Sequence, residues 1–253
     1  MNVSRNELIE LLKLVFEGLG FDQGDYEAGA KLVTHAEMWG LGGLDRLASA
    51  LVDSSLQQHQ PVTVLQEDQH SAVLDGQDLS ILLCLRSAAD LAYVKCLSAP
   101  VGKVTVTRCQ HRILVFQHLI SLGSRQVAST ACWRAGPEAN FLQFLNVLPG
   151  EPTPLPEYRI YGLTSDESGL PPAGQLDIYC AQSSMALFAL QRELLPASAE
   201  LIETVNRDAM LAKFEASLVD GIPINEALWF KLVDLAAKML VPSSDQSRSG
   251  AGD

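Results

Sequence analysis

The stretch at residues 101–120, VGKVTVTRCQHRILVFQHLI, decides the fold class. Its first part, residues 101–107, alternates and is rich in β-branched residues, which predicts a strand. Residues 111–122 predict a helix, and residues 127–133 predict another strand. Strand, helix and strand in succession are typical of an α/β protein. We therefore expect a mixed sheet, with some parallel pairing, and helices packed on it.

The region before this core predicts an N-terminal helical segment, which we place at residues 1–60. Ser4 and Glu7 form a capping box, and apolar residues recur at helical spacing over residues 8–19. A second helix is predicted over residues 25–39, and a third follows the glycines at 40, 42 and 43. Because no strand precedes these glycines, they favour a helix–helix corner over a phosphate-binding loop.

The α/β core is predicted over residues 61–242. Short strands are expected at residues 62–65 and 72–74, and Asp75-Gly76 predicts the turn after them. Asp78 is then expected to cap a long apolar helix that runs through Lys95.

The last part of the chain begins with four prolines within residues 146–157, which predict a surface connection. Strands are expected at residues 158–163 and 176–180, with a loop at 165–174 between them. Two helical stretches follow, of which the last starts at the capping residue Asn225 and ends at Pro242. We expect the polar tail at 243–253 to be disordered.

Composition restricts the partners. The chain has 253 residues, of which 47% are hydrophobic, so it can bury a core. Its 30 acidic and 18 basic side chains give a net charge of -12, which argues against nucleic acid and anionic membranes as partners. A small anionic metabolite needs only a local basic pocket. Five cysteines without a CxxC pair, no signal peptide and no long apolar run predict reduced thiols in a cytoplasmic protein.

Motifs for known chemistry are largely absent from the sequence. It contains no Walker loop and no GxGxxG, GxSxG or HExxH motif. None of the five histidines combines with Cys, Asp or Glu at a spacing typical of zinc, so we expect no metal.

The cluster Cys109-Gln110-His111-Arg112 directly follows a predicted strand, where ligands gather in α/β folds. The start of the next helix would favour an anion there, and Arg108 and Arg112 add positive charge. One interpretation is a histidine and an arginine lining a carboxylate pocket. The other is a solvated loop.

Several segments, taken in order, resemble the malate/L-lactate dehydrogenase family, NAD(P)-dependent oxidoreductases that act on 2-hydroxy, 2-keto and cyclic imino acids without a Rossmann fingerprint. The similar segments cover roughly the first 185 residues: AEMWG at 36–40, Arg46-Leu47, LDG at 74–76, residues 88–95, residues 104–111 and LDIYCA at 176–181. The resemblance implies a malate/L-lactate dehydrogenase-like, non-Rossmann α/β fold.

The resemblance also implies roles for single residues. His111 would lie near the nicotinamide or the substrate, and Arg46 near the substrate carboxylate. Asp177 would belong to the cofactor-side strand, with NAD or NADP as the cofactor. Members of this family are commonly dimers with the N-terminal helices in the interface, although packing of residues 8–19 on their own domain is the alternative.

The departures concern the chemistry. The family's Ser-His-Gly segment carries its acid/base histidine, but residues 40–46 contain no histidine and are shorter by about two positions. Asp45 could substitute only if its pKa were raised, since an exposed carboxylate is ionised at neutral pH. Arg108 stands where the family has the asparagine of Asn-x-x-His, and the resemblance implies that it binds the cofactor together with Asp177. The resemblance implies a bacterial branch of this family, and these differences would make it one that lacks the histidine.

Three hypotheses follow. The first is a divergent NAD(P)-dependent oxidoreductase in which another group replaces the histidine. The second is a non-catalytic protein that binds a small molecule or serves as an accessory subunit of another enzyme. The third is an isomerase or lyase that uses His111 as a base.

Overall fold

The computed structural model describes residues 1–53, 55–56, 62–150, 154–163 and 170–237. The helices are α1 (Arg5–Gly18), α2 (Gln23–Met38), α3 (Gly43–Ala50), α4 (Leu85–Leu97), α5 (Phe116–Ser124), α6 (Ser184–Leu194), α7 (Arg207–Val219) and α8 (Glu226–Ala237). The strands are β1 (Asn2–Val3), β2 (Thr63–Glu67), β3 (Ser71–Ser80), β4 (Val101–Gln110), β5 (Ala128–Ala135), β6 (Phe141–Leu148), β7 (Leu155–Gly162), β8 (Leu176–Ala181), β9 (Glu200–Val205) and β10 (Ile222–Pro223). None of the helices within these ranges is both long enough and apolar enough to cross a membrane.

The central sheet has the strand order β2-β3-β4-β8-β5-β6-β7-β9 among the described residues. Strands β3 and β4 are parallel and are connected through α4, whereas the other neighbouring strands are antiparallel. The predicted mixed sheet with some parallel pairing is therefore confirmed.

The two faces of the sheet bury different cores. On β8, Leu176 and Ile178 join the larger core, which contains the buried sides of α1, α2, α4 and α5. Tyr179 points to the opposite face and joins a smaller core that Leu187 of α6 covers. This alternation follows from the period of two in a strand, so residues on one strand can serve separate sites.

Helix α1 begins with the predicted capping box: the Glu7 amide donates to the Ser4 hydroxyl, and the Ser4 amide donates to the Glu7 carboxylate. Its apolar side buries Leu8, Leu12 and Phe16 against α2 and α8 of the same chain. Strand β1 pairs with β10, which joins the first residues to a segment near the end of the described chain.

The prediction for residues 75–78 is wrong. Strand β3 continues through Asp75, Gly76 and Asp78 and ends at Ser80, so Asp78 does not cap a helix. The pairing register with β4 shifts after Asp75, and the Gln77 amide donates to the Asp75 carboxylate over 2.9 Å. The turn signal therefore marks a bulge inside a strand. Glycine is needed there because a Cβ on Gly76 would lie 2.7 Å from a backbone oxygen of β4.

The prediction for the proline-rich region is also partly wrong. Strand β6 extends to Leu148 and β7 starts at Leu155, so both ends of the predicted surface connection are strand. Pro156 pairs with Val147 on one side and lies beyond the end of β9, whose pairing begins at Tyr158. A proline without a strand on its other side disturbs the sheet little.

After β8, the prediction of two helical stretches is wrong, because the described chain has α6, β9, α7 and α8 there. The predicted cap at Asn225 is confirmed: its side-chain oxygen accepts the amides of Ala227 and Leu228. The predicted helix end at residue 242, the tail at 243–253 and the first half of the loop at 165–174 lie outside the described residues.

Candidate active site

The glycine corner between α2 and α3 fixes the direction in which α3 starts. A Cβ on Gly43 would lie 2.1 Å from the carbonyl oxygen of Val33, so α3 approaches α2 more closely than any other residue allows. The Leu44 amide, at the start of α3, donates to the Glu37 carboxylate over 2.9 Å. A side chain thus occupies the anion-binding end of α3, as expected for a helix–helix corner rather than a phosphate loop. Two residues further, still in the first turn of α3, Arg46 is exposed at the rim of a cavity.

The turn after β4 forms the next part of this cavity. His111 has a φ of 55°, a left-handed conformation that is uncommon for residues other than glycine. Arg112 is held by two backbone carbonyls, since Nη1 donates to Cys109 over 2.8 Å and Nη2 to Arg134 over 3.1 Å. The guanidinium of Arg112 therefore supports the turn, and the imidazole of His111 is set against the cavity wall.

The His111 side chain is only 6% exposed, and its Nε2 lies 3.6 Å from Oδ2 of Asp53. Neither ring nitrogen makes a hydrogen bond to the described residues, and Nδ1 is fully buried. Burial lowers the pKa of His111, the charge of Asp53 opposes this shift, and Arg46 and Arg112 reinforce it. The imidazole is therefore neutral at pH 7, and it can still donate a hydrogen bond to a ligand or accept one from it.

Asp53 itself is held ionised. Its Oδ1 accepts the Ser55 amide over 2.9 Å, and its Oδ2 accepts the Ser49 hydroxyl over 3.4 Å. Burial works to raise the pKa of Asp53, but the hydrogen bonds from Ser55 outweigh it and the pKa is lowered. A fixed negative charge thus stands beside His111 and would stabilise the imidazolium if the ring took up a proton.

The cavity has a volume of about 620 Å³, and strands β5, β6, β7 and β9 form its far wall. On this wall, the Trp133 and Tyr158 rings stack with centroids 6.3 Å apart. The Tyr158 hydroxyl donates to Oε1 of Gln143 over 2.8 Å, so the amide nitrogen of Gln143 remains available as a donor. Burial raises the pKa of Tyr158 to about 12, Arg46 opposes this shift, and Glu203 adds to it.

The structure brings together two of the residues to which the sequence assigned roles, since Arg46 and His111 line this one cavity. Asp45 lies in the first turn of α3, exposed and outside the cavity lining formed by the described residues. Arg108 is also elsewhere: its guanidinium donates to Asp75 over 3.0 Å and to Asp78 over 2.9 Å, on the edge of the bulge in β3.

Asp177 lies on the opposite face of the sheet. Its carboxylate accepts the Thr105 hydroxyl over 2.7 Å, the Gln175 amide over 2.9 Å and the Tyr179 hydroxyl over 3.2 Å. The ammonium group of Lys103 lies 3.1 Å from its second oxygen. Asp177 is thus fully engaged in a buried polar network, separated from His111 by the sheet.

Sequence reasoning missed Asp53, Gln143, Tyr158 and Glu203. They come from the turn after α3 and from β6, β7 and β9, and only the folded chain brings them to the region of His111. The only local signal was at Asp53, an acidic residue followed by serines after a predicted helix, which is typical of a side-chain-capped turn.

The described residues offer neither a cluster of metal ligands nor a disulfide. Within residues 1–53, 55–56, 62–150, 154–163 and 170–237, no group of three or more His, Cys, Asp and Glu side chains is placed to hold a metal ion. All five cysteines are buried and free, which confirms the prediction of reduced thiols in the core.

The mixed sheet, its helices and the corner that carries Arg46 together define an α/β fold of the malate/lactate dehydrogenase type. Malate dehydrogenase from Pyrococcus horikoshii OT3 is similar with a TM-score of 0.69 at 12% identity, covering 96% of each chain. Malate dehydrogenase from Entamoeba histolytica gives 0.69 at 10% identity and covers 96% of this chain and 99% of that one.

Delta1-piperideine-2-carboxylate reductase from Pseudomonas syringae gives a TM-score of 0.62 at 14% identity, covering 93% of this chain and 99% of that one. At these identities the likeness shows the fold alone. No protein-family model and no curated protein matches the sequence.

Proposed function

We propose that the chain is a divergent NAD(P)-dependent oxidoreductase that acts on a small 2-hydroxy, 2-keto or cyclic imino acid in the cavity around His111. The observation that carries this proposal is a buried imidazole without a hydrogen-bond partner among the described residues, beside a carboxylate and at the wall of a cavity with an available arginine. Proton transfer and carboxylate binding are the tasks that such a set performs.

Arg46 is assigned to the substrate carboxylate. Its side chain is exposed at the cavity rim and forms no ion pair with the described residues, so its fork of donors is free for a planar anion. Gln143 offers a second donor from the far wall, because Tyr158 already satisfies its oxygen. The two side chains would hold a small acid from opposite sides of the cavity.

His111 is assigned to the proton. As a neutral imidazole it can take the proton of a hydroxyl group when an alcohol is oxidised. In the reverse direction, the imidazolium is stabilised by the charge of Asp53 and can return the proton to a carbonyl oxygen or an imine nitrogen. Asp53 acts through His111 and is therefore a positioning residue.

The cavity fits the nicotinamide end of the cofactor. The Tyr158 ring, which is packed on the buried Trp133, offers a stacking surface, and the unpaired His111 leaves room for a reacting group beside it. When bound, the nicotinamide would supply or accept the hydride. For the phosphates, the described lining offers only the guanidinium of Arg46, since Arg112 is engaged with backbone carbonyls.

A non-catalytic or accessory small-acid-binding protein on the same scaffold is the second candidate. It is favoured by the location of Asp177 and Arg108, which the resemblance implied for the cofactor and which are engaged elsewhere. It is also favoured by the glycine corner, whose described residues in the cavity lining, Gly40, Leu41 and Arg46, include no general acid.

Thermal unfolding with millimolar NAD, NADH, NADP and NADPH tests the first proposal. A ligand at 100 times its dissociation constant stabilises the fold by about 2.7 kcal/mol, a rise of several degrees. A rise with one cofactor should be followed by turnover of 2-keto acids and cyclic imines that is lost in Arg46→Ala. Lys231→Ala, which removes an exposed charge on α8, is the matched control. Stabilisation by small acids alone, without turnover, would instead support the second candidate.

A further inference from the structure

A second cavity lies on the opposite face of the sheet from the cavity around His111. It lies between α6 and the strands β6 and β7, and we call it the α6 cavity. Strand β7 forms a wall of both cavities: Tyr158 lines the one around His111, and its neighbour Arg159 points the other way into the α6 cavity. The α6 cavity has a volume of about 380 Å³. Small-molecule sites commonly measure about 300–1,000 Å³, so this space suffices for a small organic ligand.

A buried amide group with unused donors lines the α6 cavity. Asn146 is only 5% exposed, and its side-chain oxygen accepts the Thr130 hydroxyl over 2.5 Å and the Gln191 amide over 2.6 Å. These two bonds fix the orientation of the group, and its NH₂ makes no hydrogen bond to the described residues. Because a buried donor without an acceptor destabilises a fold, this group points to a ligand that accepts a hydrogen bond.

Gln191 places an acceptor beside this donor. Its NH₂ group is used by Asn146, whereas its own oxygen accepts no hydrogen bond from the described residues, although the side chain lines the α6 cavity. The cavity thus offers a donor and an acceptor next to each other. A hydroxyl group can accept from one and donate to the other, which a carboxylate, an acceptor only, cannot do.

The α6 cavity also carries a free positive charge, although the chain as a whole has a net charge of -12. Arg192 lines the cavity, is exposed on α6 and forms no ion pair with the described residues. The Nη2 of Arg159 lies 2.8 Å from Oε2 of Glu157, which balances the charge of this second arginine. One guanidinium therefore remains for a ligand, and this favours a monoanion over a dianion.

Aromatic side chains form the apolar part of the lining. The rings of Phe144 and Tyr161 meet edge to face, with centroids 5.9 Å apart, and both side chains are buried. Phe188 of α6 lines the same cavity but is 48% exposed, so part of its ring remains uncovered. A flat apolar ligand would bury this ring, and aromatic contacts of this kind are favourable.

We propose that the α6 cavity is a second binding site and that it takes a phenolic acid, an aromatic monocarboxylate with a hydroxyl group at the other end of the ring. The carboxylate pairs with Arg192, and the ring packs against Phe188. The hydroxyl group accepts from Asn146 and donates to Gln191. The site is independent of the proposed function, because none of these four residues lines the cavity around His111.

Calorimetric titration of the full chain with 4-hydroxybenzoate and two analogues tests the ligand class. Benzoate lacks the hydroxyl group and should bind about tenfold more weakly, because the buried donor and acceptor then stay unpaired. The uncharged 4-hydroxybenzamide should bind about fivefold more weakly, which is the worth of one exposed ion pair.

Two substitutions at exposed positions of α6 test the location. Arg192→Ala should weaken the binding of 4-hydroxybenzoate about fivefold and leave that of 4-hydroxybenzamide unchanged. Phe188→Ala should weaken both about fivefold, because the ring loses its aromatic contact. Arg125→Ala is the control, since it removes an exposed arginine outside the described lining of the α6 cavity.

Equal affinity of the three compounds for the unaltered chain would overturn the inference, as would no binding of 4-hydroxybenzoate at millimolar concentration. Binding that is weakened in Arg46→Ala and unchanged in Arg192→Ala would also overturn it, because the acid would then occupy the cavity around His111. None of these outcomes decides the proposed function, which is tested by cofactor stabilisation and turnover.

Discussion

On one face of the sheet, the buried carboxylate of Asp177 accepts hydrogen bonds from Thr105, Gln175 and Tyr179 and meets the ammonium group of Lys103. On the other face, several groups around the cavity lack a partner among the described residues. His111 makes no hydrogen bond to the described residues, and Arg46 and Glu203 remain apart. A buried network that is complete contributes to the fold, whereas polar groups left without partners beside a cavity are available for a ligand. The resemblance pointed to both faces as functional, and the contacts separate them.

The largest expected effect is on turnover in His111→Ala. General acid–base catalysis contributes about 10²- to 10⁴-fold, so the rate with the preferred substrate should fall by about 10³-fold. The free energy of unfolding should fall by only about 1 kcal/mol, because the imidazole loses buried packing but makes no hydrogen bond to the described residues. Steady-state kinetics and urea unfolding check both statements, with the exposed His70→Ala as control. Full turnover in His111→Ala would show that the imidazole takes no part in the reaction.

Asp177→Ala should instead lower the stability of the fold and leave ligand binding unchanged. It leaves Lys103 and three donors without their acceptor, so the free energy of unfolding should fall by about 3 kcal/mol. Small-acid binding by the folded fraction should remain, because the sheet separates Asp177 from the cavity. Urea unfolding checks the first part, with the exposed Asp234→Ala as control. A stable Asp177→Ala protein that no longer binds a cofactor would contradict this prediction and would assign Asp177 to cofactor binding.

Acid should lower the free energy of unfolding, because several histidines are buried in the fold. Burial lowers the pKa of His35, on α2, to about 4, and burial also lowers the pKa values of His111 and His118. Between the ordinary histidine pKa and this lowered value, the unfolded chain binds more protons, so stability falls as the pH falls through that window. His35 alone should cost about 2 kcal/mol at pH 5 relative to pH 7.

Urea unfolding at pH 5 and pH 7 measures this loss, and His35→Gln should reduce it. An equal loss in His35→Gln and the unaltered chain would show that other groups set the acid sensitivity.

The smallest effect is expected for Asp53→Asn. Without the carboxylate, nothing opposes the lowering of the His111 pKa by burial, so the acid side of the pH–rate profile should move to lower pH. Because Asp53 is about a third exposed, with 34% of its side chain accessible, turnover at pH 7 should fall only about threefold. Asp53→Glu should restore the profile. A lower rate with an unshifted profile would assign Asp53 a structural role only.

Local patterns in the sequence predicted much of the fold. The β-branched alternation at residues 101–107 indicated β4, and the capping box indicated α1, because these signals need only neighbours along the chain. The sequence did not predict β9, whose residues are exposed at the sheet edge and carry no buried alternation. The Asp75-Gly76 pair has the chemistry of a turn, and only the contact with β4 makes it a bulge.

The site was predictable only in part. Arg46 and His111 each lie beside a local signal, a glycine corner and a strand end, and they do line one cavity. Glu203 and Tyr158 could not be predicted as site residues, because their position depends on the pairing of β7 with β9, which no local pattern in the sequence indicates. Arg108 was misleading, since its charge is paired across the sheet edge with acidic residues about thirty positions earlier.

The pairing of β1 with β10 has a consequence for synthesis of the chain. The Asn2 side chain donates to the Asp220 carbonyl, 218 positions later, and α1 packs on α8. While the ribosome is still making α7, the apolar side of α1 therefore lacks its contacts with α8. We expect α1 to complete its packing only after α8 has left the ribosome. Folding should therefore be slow and should finish only when synthesis is complete. Protease resistance of stalled nascent chains that end before Ile222 would contradict this order.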